Sequence, residues 1–213
     1  MPDPRQTLEN LIRIANEARA LAIVWHVVLA VVILRVVMGW RPSNRFAGVL
    51  LVVPLASVSA VGFAFGNPFN GTIFAVLAVV LAGLSLLRPS TARVARAPHW
   101  AELVGTAMIS FGWIYPHFLV VSSPIEYFVA APVGILPCPT LAVVVGFAIS
   151  WRGMRSPAWS WTLAAVSAFY AIYGVAQLGV LMDALLMGGA VALVVVASHA
   201  YRTRFEQLRE RPV

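Results

Sequence analysis

Residues 130–152 read AAPVGILPCPTLAVVVGFAISWR. Pro132, Gly134, Pro137 and Pro139 oppose a continuous helix through the first part of this run. From Pro139 to Arg152 no further proline intervenes, and the 14 residues predict about 21 Å of helix at 1.5 Å per residue. The hydrocarbon core of a bilayer is about 30 Å thick. The stretch therefore predicts a re-entrant segment that dips in, turns, and continues as a short helix. Irregular backbone at membrane depth is tolerated only where protein or a wet cavity covers it. The rest of the chain must then form a membrane bundle around this stretch.

The remaining sequence fits that demand. The chain has 213 residues, of which 61% are hydrophobic and 11% charged, against about 25% charged in soluble domains. No segment alternates polar and apolar like a barrel strand, so helices are the way to satisfy backbone polar groups in lipid. Apolar stretches at 20–39, 46–65, 72–87, 100–120, 139–152, 158–179 and 183–201 read as spans, punctuated by RPSNR at 41–45, GNPFNG at 66–71, RPSTARVARAP at 88–98 and RGMRSP at 152–157. The predicted class is all-α: a polytopic membrane helical bundle of seven spans, with a short fifth helix, as one transmembrane domain over 1–213. The start, MPDPRQTLEN, lacks a basic region followed by an apolar core, so no cleavable signal peptide is expected. A lone Cys138 allows no internal disulfide.

Charge sets the expected orientation. All fifteen basic residues are Arg. With seven spans, Arg5, Arg13 and Arg19 fall on one side of the membrane and the other twelve on the opposite side. The positive-inside rule then places the C-terminus, with a tail at 202–213, in the cytoplasm and the N-terminus outside. Arg35 lies within the first span but its long stem can snorkel. Trp40, Trp100, Trp151, Trp159 and Trp161 fall at the inner interface, as an aromatic belt would. The net charge of +7 thus reads as topology, and no nucleic-acid partner is expected. Residues 1–18 predict an outer-surface amphipathic segment, with Leu8, Leu11, Ile12, Ile14 and Ala15 near one face. A frayed terminus is the other reading.

Polar residues inside spans mark candidate function, because ionisable groups at membrane depth are costly. Span four carries Glu102, Thr106, Ser110, Trp113 and His117 at steps of 4, 4, 3 and 4, hence on one helical face. Span six carries Ser167, Tyr170, Gly174 and Gln177 at steps of 3, 4 and 3. Two such stripes line either a path or a dry interhelical seam. The break at Pro-Cys-Pro offers a helix N-terminus with free N–H groups and partial positive charge. A thiol there is a better nucleophile and metal ligand, unless Cys138 simply packs as a small apolar residue. Thr140 adds a hydroxyl. Topology brings Tyr115, His117, Glu126 and Asp183 to the same outer side, although an acid at a helix start also complements the dipole.

Thiolate plus imidazole suits Zn or Cu, giving Cys138 and His117 as metal candidates, with His26 as a further one. His26 and His117 are also the candidates for haem. No local metal spacing supports either cofactor, and none is required by the sequence. The absence of Lys removes a retinal Schiff base. The absence of H-E-x-x-H and G-x-S-x-G removes the common metalloprotease and serine-hydrolase readings. A catalytic role is not expected.

Several segments, taken in order, resemble a bacterial family of small multispanning membrane proteins known as a domain of unknown function. They are SNR at 43–45, NP at 67–68, YP at 115–116, GILPCPT at 134–140 and Asp183 opening the last span. PCPT is the most specific, and Leu141 departs from the second Thr often found after it. The resemblance implies a shared fold and an outer-side site around Tyr115, Cys138 and Asp183, in a bacterial cytoplasmic (inner) membrane. It implies no activity. The residues lead to a small-solute or ion transporter or channel: Tyr115, His117, Cys138, Thr140 and Asp183 bind, and Glu102, Thr106, Ser110, Tyr170 and Gln177 line the path. The alternatives are a metal- or haem-binding membrane protein, or an accessory subunit. The expected partners are the lipid bilayer and either copies of itself or a larger membrane complex.

Overall fold

A computed structural model describes residues 3–209, with side chains described to His199. The described residues form helices α1 (Pro4–Glu17), α2 (Arg19–Val37), α3 (Asn44–Ala64), α4 (Pro68–Leu86), α5 (His99–Ile114), α6 (Tyr127–Ala130), α7 (Pro137–Ser150), α8 (Pro157–Leu178) and α9 (Ala184–Arg209). Local chemistry explains most boundaries. Proline opens α1, α4, α7 and α8, where a missing N–H costs nothing. Ser43, Asn67 and Ser156 cap α3, α4 and α8 by accepting from the N–H of Phe46, Asn70 and Trp159. Gly179, at φ +71°, ends α8 in the left-handed conformation.

Each predicted span is found as a helix, but the expectation of seven spans is corrected. Among the described residues, α2, α3, α4, α8 and the stretch Leu181–His199 are long and apolar enough to cross a membrane, which makes five. The fold is that of a helical membrane protein. The fourth predicted span stops at Ile114 rather than 120. Pro116 excludes the helical conformation from Tyr115, whose ψ is 100°. Helix α9 continues into the predicted tail as far as Arg209, and residues 210–213 lie outside the described residues.

The core is built around α7. All of its residues from Pro137 to Ile149 are buried. Helices α3, α5, α8 and α9 pack against it. The α5 contact is closest because both helices offer glycine. A Cβ on Gly146 would lie 2.6 Å from the Gly105 carbonyl, and one on Gly112 would lie 2.5 Å from the Pro139 carbonyl. Backbones approach this closely only where side chains are absent. Helix α2 stays at the edge, with only Ala22, His26 and Leu29 buried.

The approach to α7 is non-helical from Ala131 to Leu136, and helix begins at Pro137. This is the short helix and irregular approach that the proline spacing predicts. Thr140 fixes the junction. Its hydroxyl donates to the Leu136 carbonyl at 2.6 Å and accepts from the Gly134 N–H at 2.8 Å. The chain returns to α8 through Arg152, Gly153, Met154 and Arg155, all at positive φ. Three are not glycine, at roughly 1–2 kcal/mol each. Burial of Met154 and hydrogen bonds from Arg88 to the Met154 carbonyl and from Ser160 to the Gly153 carbonyl offset that cost.

Candidate functional site

Three breaks in regular helix meet at one point: the end of α5, the start of α7, and the turn between α8 and α9. Each delivers one polar side chain. Tyr115 follows α5, Cys138 lies in the first turn of α7, and Asp183 closes a short 3-10 turn at Leu181–Asp183. The Tyr115 hydroxyl donates to Asp183 Oδ1 at 2.7 Å, and the Cys138 thiol donates to Asp183 Oδ2 at 3.1 Å. Asp183 and Tyr115 have no exposed surface, and Cys138 is also buried. Gly174 of α8 makes room for the acid, since a Cβ there would stand 2.0 Å from Asp183 Oδ2.

The sequence placed Tyr115, Cys138 and Asp183 together, and the structure does bring them together. Of the two readings of Cys138, an activated thiol and a packed small residue, its burial fits the second. The sulfur is a buried thiol donor to a carboxylate, not an accessible thiolate at a bare helix start. Thr140 is also buried, and its hydroxyl is used by the turn. His117 is half-buried, packs edge-on against Phe118 with ring centroids 4.3 Å apart, and is not among the groups bonded to Asp183.

The path-lining expectation fails for α5. Thr106 and Ser110 are exposed, and Glu102 is half-buried. The packed face of α5 is Ala101, Gly105, Met108 and Gly112. Close backbone contact through glycine decides the rotation of the helix, and the polar stripe is left outside. Thr106 satisfies its hydroxyl within its own helix, on the Glu102 carbonyl at 2.8 Å. Replacing Thr106 and Ser110 together with alanine is expected to change stability by less than about 0.5 kcal/mol each. Reversible unfolding in mixed micelles measures this; a loss of several kcal/mol would mean that the stripe is packed. On α8, Ser167, Tyr170 and Gly174 are buried, whereas Gln177 is exposed. Tyr170 donates to Asn70 Oδ1 at 2.8 Å.

The metal and haem expectations find no assembled ligand set. Among the described residues no group of three His, Cys, Asp or Glu is close enough to hold a metal. Both ring nitrogens of His26 face carbonyl oxygens, Nδ1 at 2.9 Å from Ala22 and Nε2 at 3.0 Å from Trp113. The Trp113 contact ties α2 to α5.

Sequence reasoning missed three groups. Asn70 looked like part of a turn, but from the first turn of α4 it receives the Tyr170 hydroxyl. Tyr173 sits one residue off the α8 stripe and is buried all the same. Thr7 of α1 is buried too. Helix α1 does not simply rest on a surface. Asn10 and Arg13 donate to the Phe65 carbonyl at 2.9 and 2.6 Å, Asn16 donates to the Phe118 carbonyl at 3.1 Å, and Arg19, which opens α2, pairs with Glu126. The helix is clasped over the end of the bundle where Asp183 lies.

Glu126 belongs to that clasp. Hydrogen bonding from the Ser122 hydroxyl, then from Arg19, holds its carboxyl down to about 2, from an ordinary value of 4.5. A depressed folded value means stability that is present above the unfolded value and lost as pH falls toward the folded one. The stability difference between the wild type and Glu126→Gln is therefore expected to be constant above about pH 5 and to shrink between about pH 4.5 and 2. Paired thermal unfolding curves across that range check it; a pH-independent difference would remove the clasp.

Fold and site together define a helical membrane protein whose broken helices converge on a buried carboxylate. Comparison of the chain with known protein families, with curated proteins and with solved structures finds no match.

Proposed function

We propose that the protein is a small-solute or ion transporter or channel of the bacterial cytoplasmic membrane, with its site where Tyr115, Cys138 and Asp183 meet. In this reading all seven main helices, including the shorter α5 and α7, lie at membrane depth. The N-terminus is outside and the Arg-rich side faces the cytoplasm. The observation that carries the reading is Asp183. An acid with no exposed surface, bonded among the described residues to a phenol and a thiol and to no Arg, is costly to keep in a membrane bundle unless it is used. Broken helices are where transporters build such sites.

The test is ion flux into liposomes holding the purified protein. Imposed gradients of protons, Na⁺ and K⁺ are followed with the wild type and Asp183→Asn. Flux of at least one ion above protein-free liposomes, abolished by the substitution, supports the reading. The absence of any flux would overturn it. The chain would then read as an accessory subunit of a larger membrane complex, with the exposed Thr106 and Ser110 face as its contact.

A further inference from the structure

The end of α7 away from Asp183 carries a turn of unusual handedness. The 14 residues of α7 set it about 21 Å from the helix start at Pro137. Arg152–Arg155 form one 3-10 turn in which Gly153 has φ +62° and Met154 φ +56°. Arg152 and Arg155 share that region, at φ +54° and +52°. Non-glycine residues stay in it only where the surroundings hold them there. Here the inward half of the turn is held. Met154 is buried, and a Cβ on Gly153 would lie 3.0 Å from Ser160 Oγ of α8 and 3.2 Å from Ala197 Cα of α9. The outward half is the two arginines. Residues three apart in a 3-10 turn eclipse one another, so both side chains leave the same face.

That face gathers positive charge. Arg152 is half-buried and Arg155 exposed, and among the described residues neither side chain is in an ion pair or a hydrogen bond. Arg88 reaches the same turn, where it donates to the Met154 carbonyl. Arg96 is brought alongside, because the N–H of the next residue, Ala97, donates to the Ser150 carbonyl at 3.1 Å. Of the described acids only Glu102, in the first turn of α5, belongs to this end of the bundle, and it pairs with neither Arg152 nor Arg155. Like charges one turn apart repel. A phosphate group relieves that repulsion, since its oxygens accept from both guanidinium forks at once.

The depth of the turn fits a lipid headgroup. Leu86 and Leu87, which immediately precede Arg88, are exposed, and so is Trp161 early in α8. An apolar edge with tryptophan that gives way to arginine marks the membrane–water interface. We propose that the Arg152–Arg155 turn is a binding site for a phosphate group, carried by an anionic phospholipid. The phosphodiester lies across the eclipsed pair, Arg88 and Arg96 add positive charge, and the acyl chains pass the exposed apolar edge. Soluble phosphate offers the same oxygens without the acyl chains. The site is separate from Asp183 and does not depend on what Asp183 carries.

The test counts bound lipid by native mass spectrometry of the intact protein in micelles, titrated with phosphatidylglycerol or with phosphatidylcholine. The wild type is expected to prefer phosphatidylglycerol by about 5-fold or more, because the choline cation of the other lipid meets the same arginines. Arg152→Gln/Arg155→Gln is expected to weaken phosphatidylglycerol binding on the order of 30-fold, at about 5-fold for each arginine. Arg35→Gln/Arg41→Gln removes two charges from the end of α2 and the turn after it. It is expected to stay within about 3-fold of wild type, since salt screens charges that do not touch the lipid. Equal affinity of the wild type for the two lipids would overturn the proposal without any variant. An equal loss in the two double variants would also overturn it, as the mark of a general positive surface. Displacement of phosphatidylglycerol by millimolar inorganic phosphate would overturn the lipid as the source and reassign the turn to soluble phosphate.

Discussion

Gly174→Val is expected to cost on the order of 3–5 kcal/mol of stability, because it breaks a buried, paired acid away from its partners. The added Cβ alone would lie 2.0 Å from Asp183 Oδ2 and 2.8 Å from its Cγ. Neither side can yield easily. Gly174 is fixed in the α8 backbone, and Asp183 is held by Tyr115 and Cys138. The carboxylate would have to leave both donors while remaining inside the protein. The compensating change is specific. Asp183→Ala removes the two closest colliding atoms, Oδ2 and Cγ, and leaves only Cβ at 2.9 Å, so the double variant Gly174→Val/Asp183→Ala is expected to be more stable than the sum of the two single losses predicts. Unfolding in mixed micelles across this cycle measures the coupling. Additive losses, or a Gly174→Val protein within about 1 kcal/mol of wild type, would show that α8 does not press on the acid.

The second large effect is expected at Gly146. A Cβ there would meet the Gly105 carbonyl at 2.6 Å, Ile109 Cγ1 at 2.7 Å and the Ile109 nitrogen at 2.8 Å. Two of these are backbone atoms, which cannot rotate away. Overpacking a core ordinarily costs about 1–3 kcal/mol, and Gly146→Leu is expected at or above the top of that range. It forces α5 off α7 and carries Tyr115, the residue after α5, away from Asp183. Function is therefore expected to fall along with stability. Gly188 of α9 is the control. It has nothing within 4 Å of a built Cβ, so Gly188→Ala is expected to be neutral or to stabilise by about 0.5–1 kcal/mol through helix propensity. Equal behaviour of the two glycines would show that the α5–α7 contact is not tight.

These glycines also show where sequence reasoning stops. The irregular approach and short helix at 131–150 were legible because proline acts locally, through φ and a missing N–H. Span order suggested a wider set that included His117 and Glu126, and the family resemblance implied the narrower one of Tyr115, Cys138 and Asp183. The rotation of α5 did not follow. Its polar stripe predicted an inward face, but Gly105 and Gly112 set the packing, and a glycine face carries no hydrophobic signal. The same blindness hid Asn70 and Tyr173, whose burial depends on the long-range docking of α1 and α4 on α8. Periodicity describes a helix relative to itself; only its neighbours fix which side is in.

Helix α7 carries a further consequence, for biogenesis. A segment with protein on every side has no face to give to lipid when it leaves the ribosome. Half of its walls, α3 and α5, precede it in the chain, and the other half, α8 and α9, have yet to be made. It must be held at the insertion machinery, or parked beside it, until its later neighbours arrive. A nascent chain halted just after residue 157 would thus present an apolar helix without a home, and it is there that quality-control proteases should find this protein.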